Sequence, residues 1–368
     1  MDRVRTTEAL IDRSALAHNL REARRCAPRS RVLAVVKADA YGHGAVECSR
    51  AFVEAGADWL GVALVEEGLE LRAAGIRAPV LVLGLGGDYT DHRILLQNDL
   101  VPMIFRPDQL AGLAAAARAM GRVAQAHVKL DTGMGRIGAL PAELPALLEA
   151  ARALPEVRLT GLASHFANAD LRDPAATAHA LELFEAGRRA MLAAGMPLEL
   201  CHLANSAATL GLPAAHYDMI RPGLMLYGAA PAPAFEGVAE LRPAMTWVTS
   251  VAHLKRVPAG TPISYGHRWR ARRESLIASL PVGYADGYRR ALTNTAHVLV
   301  EGRRAPVAGT VCMDMTMVDV TDVPGVRVGS EVVLLGPGVT ATEMAEVGGT
   351  ISWEVFCAVG KRVPRVYT

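Results

Sequence analysis

Lysine is scarce in this chain, and the scarcity marks where a primary amine is wanted. Of 39 basic residues only Lys37, Lys129, Lys255 and Lys361 are lysines; the rest are arginines. A guanidinium supplies charge and forked hydrogen bonds, but only the amine can deprotonate and form a Schiff base. Lys37 follows five apolar residues, Val32 to Val36, and opens the polar stretch "KADAYGHG". Tyr41 and two glycines, which let backbone approach a ligand, stand beside it. Lys129 with Asp131, His165, Asn205 with Ser206, and Arg221 each close an apolar run in the same manner. Farther along, "ANS" (204–206) and "RPGLMLYG" (221–228) offer a hydroxyl and backbone N–H groups of the kind that hold a phosphate.

The elements that must position these residues are legible as a pattern. The runs "VLAVVK" (32–37), "WLGVA" (59–63), "PVLVLG" (79–84), "LVPMIF" (100–105), "QAHVKLD" (125–131), "LTGLASHF" (159–166), "LELCHLANS" (198–206) and "YDMIRPG" (217–223) read as strands. Their hydrophobicity is continuous rather than alternating, which suits strands covered on both faces of a parallel sheet. Between them lie Ala/Leu/Arg stretches with helical spacing, the first from Ser14, a candidate N-cap. Eight strands separated by helices predict an α/β fold, a (β/α)8 TIM-type barrel over residues 1–235; a doubly wound open sheet is the runner-up. Active sites of such barrels lie at the C-terminal strand ends, where the polar residues above fall. Near residue 231 "PAPAFEGVAELRP" reads as a linker. Beyond it, strand-like segments broken by Gly/Pro turns predict a mostly β C-terminal domain over 236–368.

Composition narrows the function classes. The 368 residues are 51% hydrophobic and 21% charged, with a net charge of +2, a balance that gives no reason to expect nucleic acid or an anionic membrane as partner. No apolar run of membrane-spanning length and no basic-then-apolar leader stands out. Five scattered cysteines without CxxC spacing read as free thiols, so the expected address is cytoplasmic. The strand ends lack clustered His/Asp ligands; no metal is expected, and a barrel metal hydrolase is disfavoured.

A Schiff-base lysine with a phosphate cradle is what pyridoxal 5'-phosphate needs. The sequence resembles, over nearly its whole length, the alanine racemases, fold-type III pyridoxal-phosphate enzymes. The matching motifs, in order, are "AVVKADAYGHG", "HVKLDTGMGRIG", "LASHFANAD", "HLANSAA", "IRPGLMLYG", "ISYGH", "PVGYADGY", "VCMDMTMVDV" and "GTISWE…RVPRVY". The resemblance implies that Lys37 carries the cofactor and is the base on one face of the bound amino acid. Tyr265 of a partner subunit would be the acid/base on the other, in a head-to-tail homodimer acting on alanine. His165 and Arg221 would form a relay toward Tyr265. Arg221 would lie against the cofactor's ring nitrogen, favouring proton transfer over decarboxylation. Tyr41, Asn205, Ser206, Gly223, Leu224 and the region of Trp353 would hold the cofactor. Arg136 would meet the cofactor's phenolic oxygen and the substrate carboxylate. Lys129, if carbamylated, would hold Arg136 in place. Met313 and Cys312 would shape the substrate pocket, and Tyr284, Arg290 and Asp170 would line the entrance.

Two positions depart from the family pattern. Trp353 precedes Glu354 where a tyrosine is usual, and Thr310 stands where an entrance arginine is frequent. Both predict an altered pocket and entrance with the chemistry retained. A serine or broad-specificity racemase is thus the alternative reading. A non-catalytic pyridoxal-phosphate carrier, which would lack the second domain and Tyr265, is the more distant one.

Overall fold

Residues 5–84, 91–171 and 173–368 are described by the computed structural model. The first strand, β1 (Glu8–Ile11), precedes eight parallel strands: β2 (Arg31–Val35), β3 (Trp59–Val62), β4 (Val80–Val82), β5 (Leu100–Ile104), β6 (Ala124–Lys129), β7 (Val157–Ala163), β8 (Leu200–His202) and β9 (Met219–Ile220). Their sheet order is β8-β7-β6-β5-β4-β3-β2-β9. Backbone hydrogen bonds from Asp218 N to Cys201 O (3.1 Å) and from Arg221 N to Ala204 O (2.8 Å) tie β9 to β8 and bring the ends together. The barrel, not the open sheet, is therefore formed. Val32 to Val36 are all buried, as expected of strands with helices on the outside.

The second domain carries β10 (Met245–Ser250), β11 (His253–Val257), β12 (Pro262–Ile263), β13 (Trp269–Arg270), β14 (Ser275–Leu280), β15 (His297–Val300), β16 (Arg303–Pro306), β17 (Thr316–Asp319), β18 (Glu331–Leu335) and β19 (Arg365–Tyr367). Together with β1 they form a six-stranded sheet, a three-stranded sheet and the β12–β13 hairpin. Helices Ala341–Gly348 and Ser352–Ala358, not anticipated from the strand-like texture, follow β18.

Two sequence expectations need correction. The N-terminal strand, assigned with residues 1–235 to the barrel, lies in the six-stranded sheet of the second domain. There β1 pairs antiparallel with β10 and parallel with β19. Four residues carry too little pattern to reveal partners more than two hundred positions away. The first helix, Arg13–Cys26, is capped by Asp12 rather than Ser14: the Asp12 carboxylate accepts from Ser14 N (2.8 Å) and Ala15 N (3.0 Å).

Candidate active site

The chain leaves β2 at Lys37 through a left-handed turn. Ala38, Asp39, Ala40 and Tyr41 all have φ between 51° and 54°. For residues bearing a Cβ this costs roughly 1–2 kcal/mol each. Specific bonds hold it: Ala38 N donates to Glu67 Oε1 (2.6 Å), and Asp39 accepts from Ala45 N through Oδ1 (2.7 Å) and from Gly44 N through its carbonyl (2.9 Å). Gly42 and Gly44 were expected to admit a ligand; they admit the C-terminal segment instead. A Cβ on Gly42 would lie 2.4 Å from the Phe356 carbonyl oxygen, and one on Gly44 would lie 1.8 Å from the Tyr367 hydroxyl. Arg365 locks this contact by donating to Gly42 O at 2.8 and 2.9 Å. The second domain thus braces the lysine turn of its own barrel.

Lys37 itself makes no hydrogen bond or ion pair among the described residues. Burial, then the Arg136 guanidinium, holds its ammonium below the ordinary lysine range. Lys129, buried at the end of β6, is pushed well below it by burial, Arg221 and Arg136. Arg136 is exposed and follows a loop that the Asp131 carboxylate gathers by accepting from Gly133, Met134 and Gly135 N, each at 2.9 Å. Burial, then Arg221, Lys129, Arg136 and Lys37, disfavour protonation of His165. A mouth so charged suits an anionic ligand.

Arg221 is 5% exposed, and both ends of its fork are occupied. One nitrogen bonds His202 Nδ1 (2.9 Å) and the His202 carbonyl (2.7 Å); the other bonds the Ser164 carbonyl (2.6 Å) and His165 Nδ1 (3.3 Å). A guanidinium can only donate, so both imidazoles accept at Nδ1 and carry their proton on Nε2. His202 Nε2 then donates to His127 Nδ1 at 2.9 Å. Burial, and after it Arg221, depresses the pKa of His127, His165 and His202, so each stays neutral near pH 7. The consequence is chemical: His165 is left with one N–H donor. Sequence reasoning missed His202 and His127; the string "HLANS" contained the first, but only tertiary contact links it to Arg221.

A phosphate-sized cradle lies nearby. Ser206 Oγ accepts from Gly223 N (3.0 Å) and Met225 N (3.3 Å), leaving its own hydrogen free to donate. Burial pushes the Tyr41 phenol above its ordinary range, so it remains a donor. A Cβ on Gly223 would stand 2.4 Å from the Tyr41 hydroxyl, so any larger residue there must displace it. Asn205 spends its side-chain oxygen capping the next helix at Ala208 N (3.0 Å), and Leu224 is buried at the start of the following turn. These donors fit the phosphate of pyridoxal phosphate beside an unpaired amine.

The remaining candidates sit elsewhere. Tyr265, on the turn joining β12 to β13, is 73% exposed. The depression around it is lined by Ser264, Gly266, His267, Cys312 and Met317, all of the second domain. Met313 and Tyr284 are also exposed, and Tyr284 N and Ala285 N donate to the carbonyls of Cys312 and Met313 at 3.0 Å, fixing the two loops together. Arg290 is exposed, and Asp170 is half-buried in the turn after β7. Trp353 is half-buried on the helix Ser352–Ala358, which packs against the Lys37–Gly42 segment. Thr310, expected near an entrance, is instead buried and donates to the Tyr265 carbonyl at 2.8 Å. Within one chain Lys37, Arg221 and the cradle come together. Tyr265 stands among second-domain residues.

Comparison with known proteins agrees with the two-domain fold. Family models match residues 11–231 ("Alanine racemase, N-terminal domain") and 244–367 ("Alanine racemase, C-terminal domain"). An alanine racemase of Symbiobacterium thermophilum is 46% identical over 100% of this chain and 98% of its own. The crystal structure of alanine racemase from D-cycloserine-producing Streptomyces lavendulae superposes with a TM-score of 0.94 at 41% identity, covering 99% of this chain and 97% of that one. A biosynthetic alanine racemase from Pseudomonas aeruginosa gives 0.88 at 40% identity, covering 99% and 100%.

Proposed function

The chain belongs to the alanine racemase family and is an amino-acid racemase; we propose that it exchanges L- and D-alanine with two fixed proton-handling groups, Lys37 of one chain and Tyr265 of a second. The observation that carries this reading is the exposure of Tyr265, at 73%, in a depression lined by second-domain residues and, among the described residues, by none of the barrel mouth. Inverting Cα requires a proton to leave one face and return on the other, and a group on each face achieves this without moving the substrate. A head-to-tail homodimer brings the second face.

Pyridoxal 5'-phosphate, when bound, supplies the electron sink that makes the Cα proton of an attached amino acid removable. Lys37 Nζ is its point of attachment, and a depressed pKa favours the neutral amine that can accept a proton. Tyr41, Ser206 and the backbone of Leu224 would hold the phosphate, with Gly223 leaving room beside Tyr41 and orienting the Ser206 hydroxyl through its N–H, and Asn205 fixing Ser206's helix. Trp353 contributes an indole donor near it. Arg221, clamped by two carbonyls and two imidazoles, keeps its proton and would lie against the cofactor's ring nitrogen. His165, pinned at Nδ1, directs its Nε2–H at the Tyr265 oxygen and favours the phenolate. Arg136 binds the substrate carboxylate. Lys129 takes up carbon dioxide; its buried, unpaired amine between two arginines supports this, because a carbamate there accepts from Arg136. Met313 and Cys312 of the second chain line the pocket, with Tyr284, Arg290 and Asp170 at its entrance. In the cytoplasm the racemase supplies D-alanine for peptidoglycan precursors or serves D-alanine breakdown; likeness to a P. aeruginosa protein described as biosynthetic supports the first.

Mixing two inactive variants tests the arrangement. Lys37→Arg and Tyr265→Phe chains, refolded together, form hybrid dimers with one intact site, and activity returns to about a quarter of the unmodified level. If Tyr265 served its own barrel, mixing would restore nothing.

A further inference from the structure

We infer that Thr310 and Ser264 form a reciprocal hydroxyl staple that aims the Tyr265 phenol, and are positioning residues for the proton transfer on that face. The inference rests on the role of Tyr265 proposed above.

The turn carrying Tyr265 is held against its backbone preferences. Ser264 has φ 64° and ψ −179°, a region that residues with a Cβ all but avoid, and Gly266 and His267 also have positive φ. Two bonds hold this peptide in place. Thr310 Oγ1 donates to the Tyr265 carbonyl at 2.8 Å, and Ser264 Oγ donates to the Thr310 carbonyl at 2.6 Å. Gly309 makes the close approach possible: a Cβ there would lie 2.7 Å from the Ile263 carbonyl oxygen and 2.8 Å from Ser264 Cβ. At the far side Asn294 accepts from Gly309 N (2.7 Å) and donates to Arg268 O (3.0 Å), tying the end of the turn to the same segment.

The staple matters because the ring is exposed. A tyrosine has two side-chain torsions, so once its peptide is fixed the hydroxyl is confined to the few positions set by the staggered χ1 wells. Proton transfer is intolerant of misplacement: about 1 Å can cost about a hundredfold in rate. Thr310 is buried and the position reads, in sequence, only as a missing arginine. In the fold it supplies the hydroxyl that holds the peptide.

The dimeric holoenzyme with Thr310→Val, nearly isosteric but without the hydroxyl, is compared with the unmodified enzyme in deuterated water. Lys37 still exchanges the α-proton of the enantiomer whose proton it faces, while delivery from the other face weakens. The expected result is a ratio of α-exchange to racemisation that rises about tenfold for that enantiomer alone, with KM changing less than kcat. Thr310→Ser restores the ratio, and amide exchange across residues 262–270 of the cofactor-free protein quickens in Thr310→Val. Should Thr310→Val not fold, Ser264→Ala, which cuts the other bond, must give the same split. An unchanged ratio, or a Thr310→Ser enzyme as impaired as Thr310→Val, overturns the staple. If Tyr265→Phe abolishes racemisation while Thr310→Val leaves the ratio alone, the staple alone is wrong. If Tyr265→Phe racemises normally, the underlying reading falls with it.

Discussion

The barrel mouth and the Tyr265 turn handle polar groups in opposite ways. At the mouth Lys129, Arg221, His127 and His202 are buried, and Arg221, the histidines and two backbone carbonyls form one bonded set. On the second domain Tyr265, Met313 and Tyr284 project from loops with their side chains largely bare. Desolvation tunes the first set within one chain, because burial penalises charge and fixes tautomers. In the second set the backbone is what the chain fixes, through the bonds at Tyr284, Ala285 and the Tyr265 carbonyl. The contrast teaches that a preorganised half-site can be encoded locally, whereas its complement is built to be finished by another surface.

The largest effect that could break this contrast comes from the two proton-handling groups. Lys37→Arg should lower racemisation by about 10⁴-fold or more and abolish borohydride fixation of the cofactor. Tyr265→Phe should lower racemisation by about 10²–10⁴-fold yet leave borohydride fixation intact. Equal loss of fixation in both would erase the distinction between halves.

Acidification sharpens the comparison next. Burial lowers the pKa of His43 to about 4 and of His127 to about 3, with His165 and His202 well below their ordinary value. The unfolded chain binds protons at these positions below about pH 6.5 and the folded chain does not, so their contribution to stability is lost as pH falls from about 6.5 toward 3. For His43 and His127 this amounts to about 2 kcal/mol each between pH 7.5 and 5. Among the described residues the second domain buries no histidine. Hydrogen exchange at pH 5 should therefore show β6–β8 losing protection before β10 and β18; simultaneous loss would refute the assignment.

A smaller effect is expected at the cradle. Gly223→Ala forces the Tyr41 hydroxyl aside and should weaken pyridoxal phosphate by about 10- to 30-fold, read by titrating the cofactor-free protein, without altering dimerisation. The smallest concerns Trp353→Tyr, which should shift the kcat/KM ratio of serine to alanine by less than about tenfold. A substrate profile unchanged by that substitution would count against any role for the indole.

Much of the barrel could be read in advance because its signal is local. Each strand is a largely apolar run, five of them closed by polar residues, and all eight runs became barrel strands. The reactive residues were equally visible as types: an amine after β2, an amine after β6, an arginine after β9. What escaped was contact at long range. The place of β1 between β10 and β19 depends on chain more than two hundred residues distant. The purpose of Gly42 and Gly44 depends on Phe356 and Tyr367, and Thr310, legible only as a substitution, acquires meaning from a carbonyl 45 residues away.

The amino-acid order by itself determined the strands, the chemistry available at their ends and the family, since periodicity and side-chain type are properties of short segments. Tertiary structure alone decided protonation and exposure. Which histidine nitrogen carries the proton follows from where Arg221 is locked, and which groups lie bare follows from what the fold does not cover. Both depend on distances between residues far apart in the chain, and electrostatics and desolvation act through space.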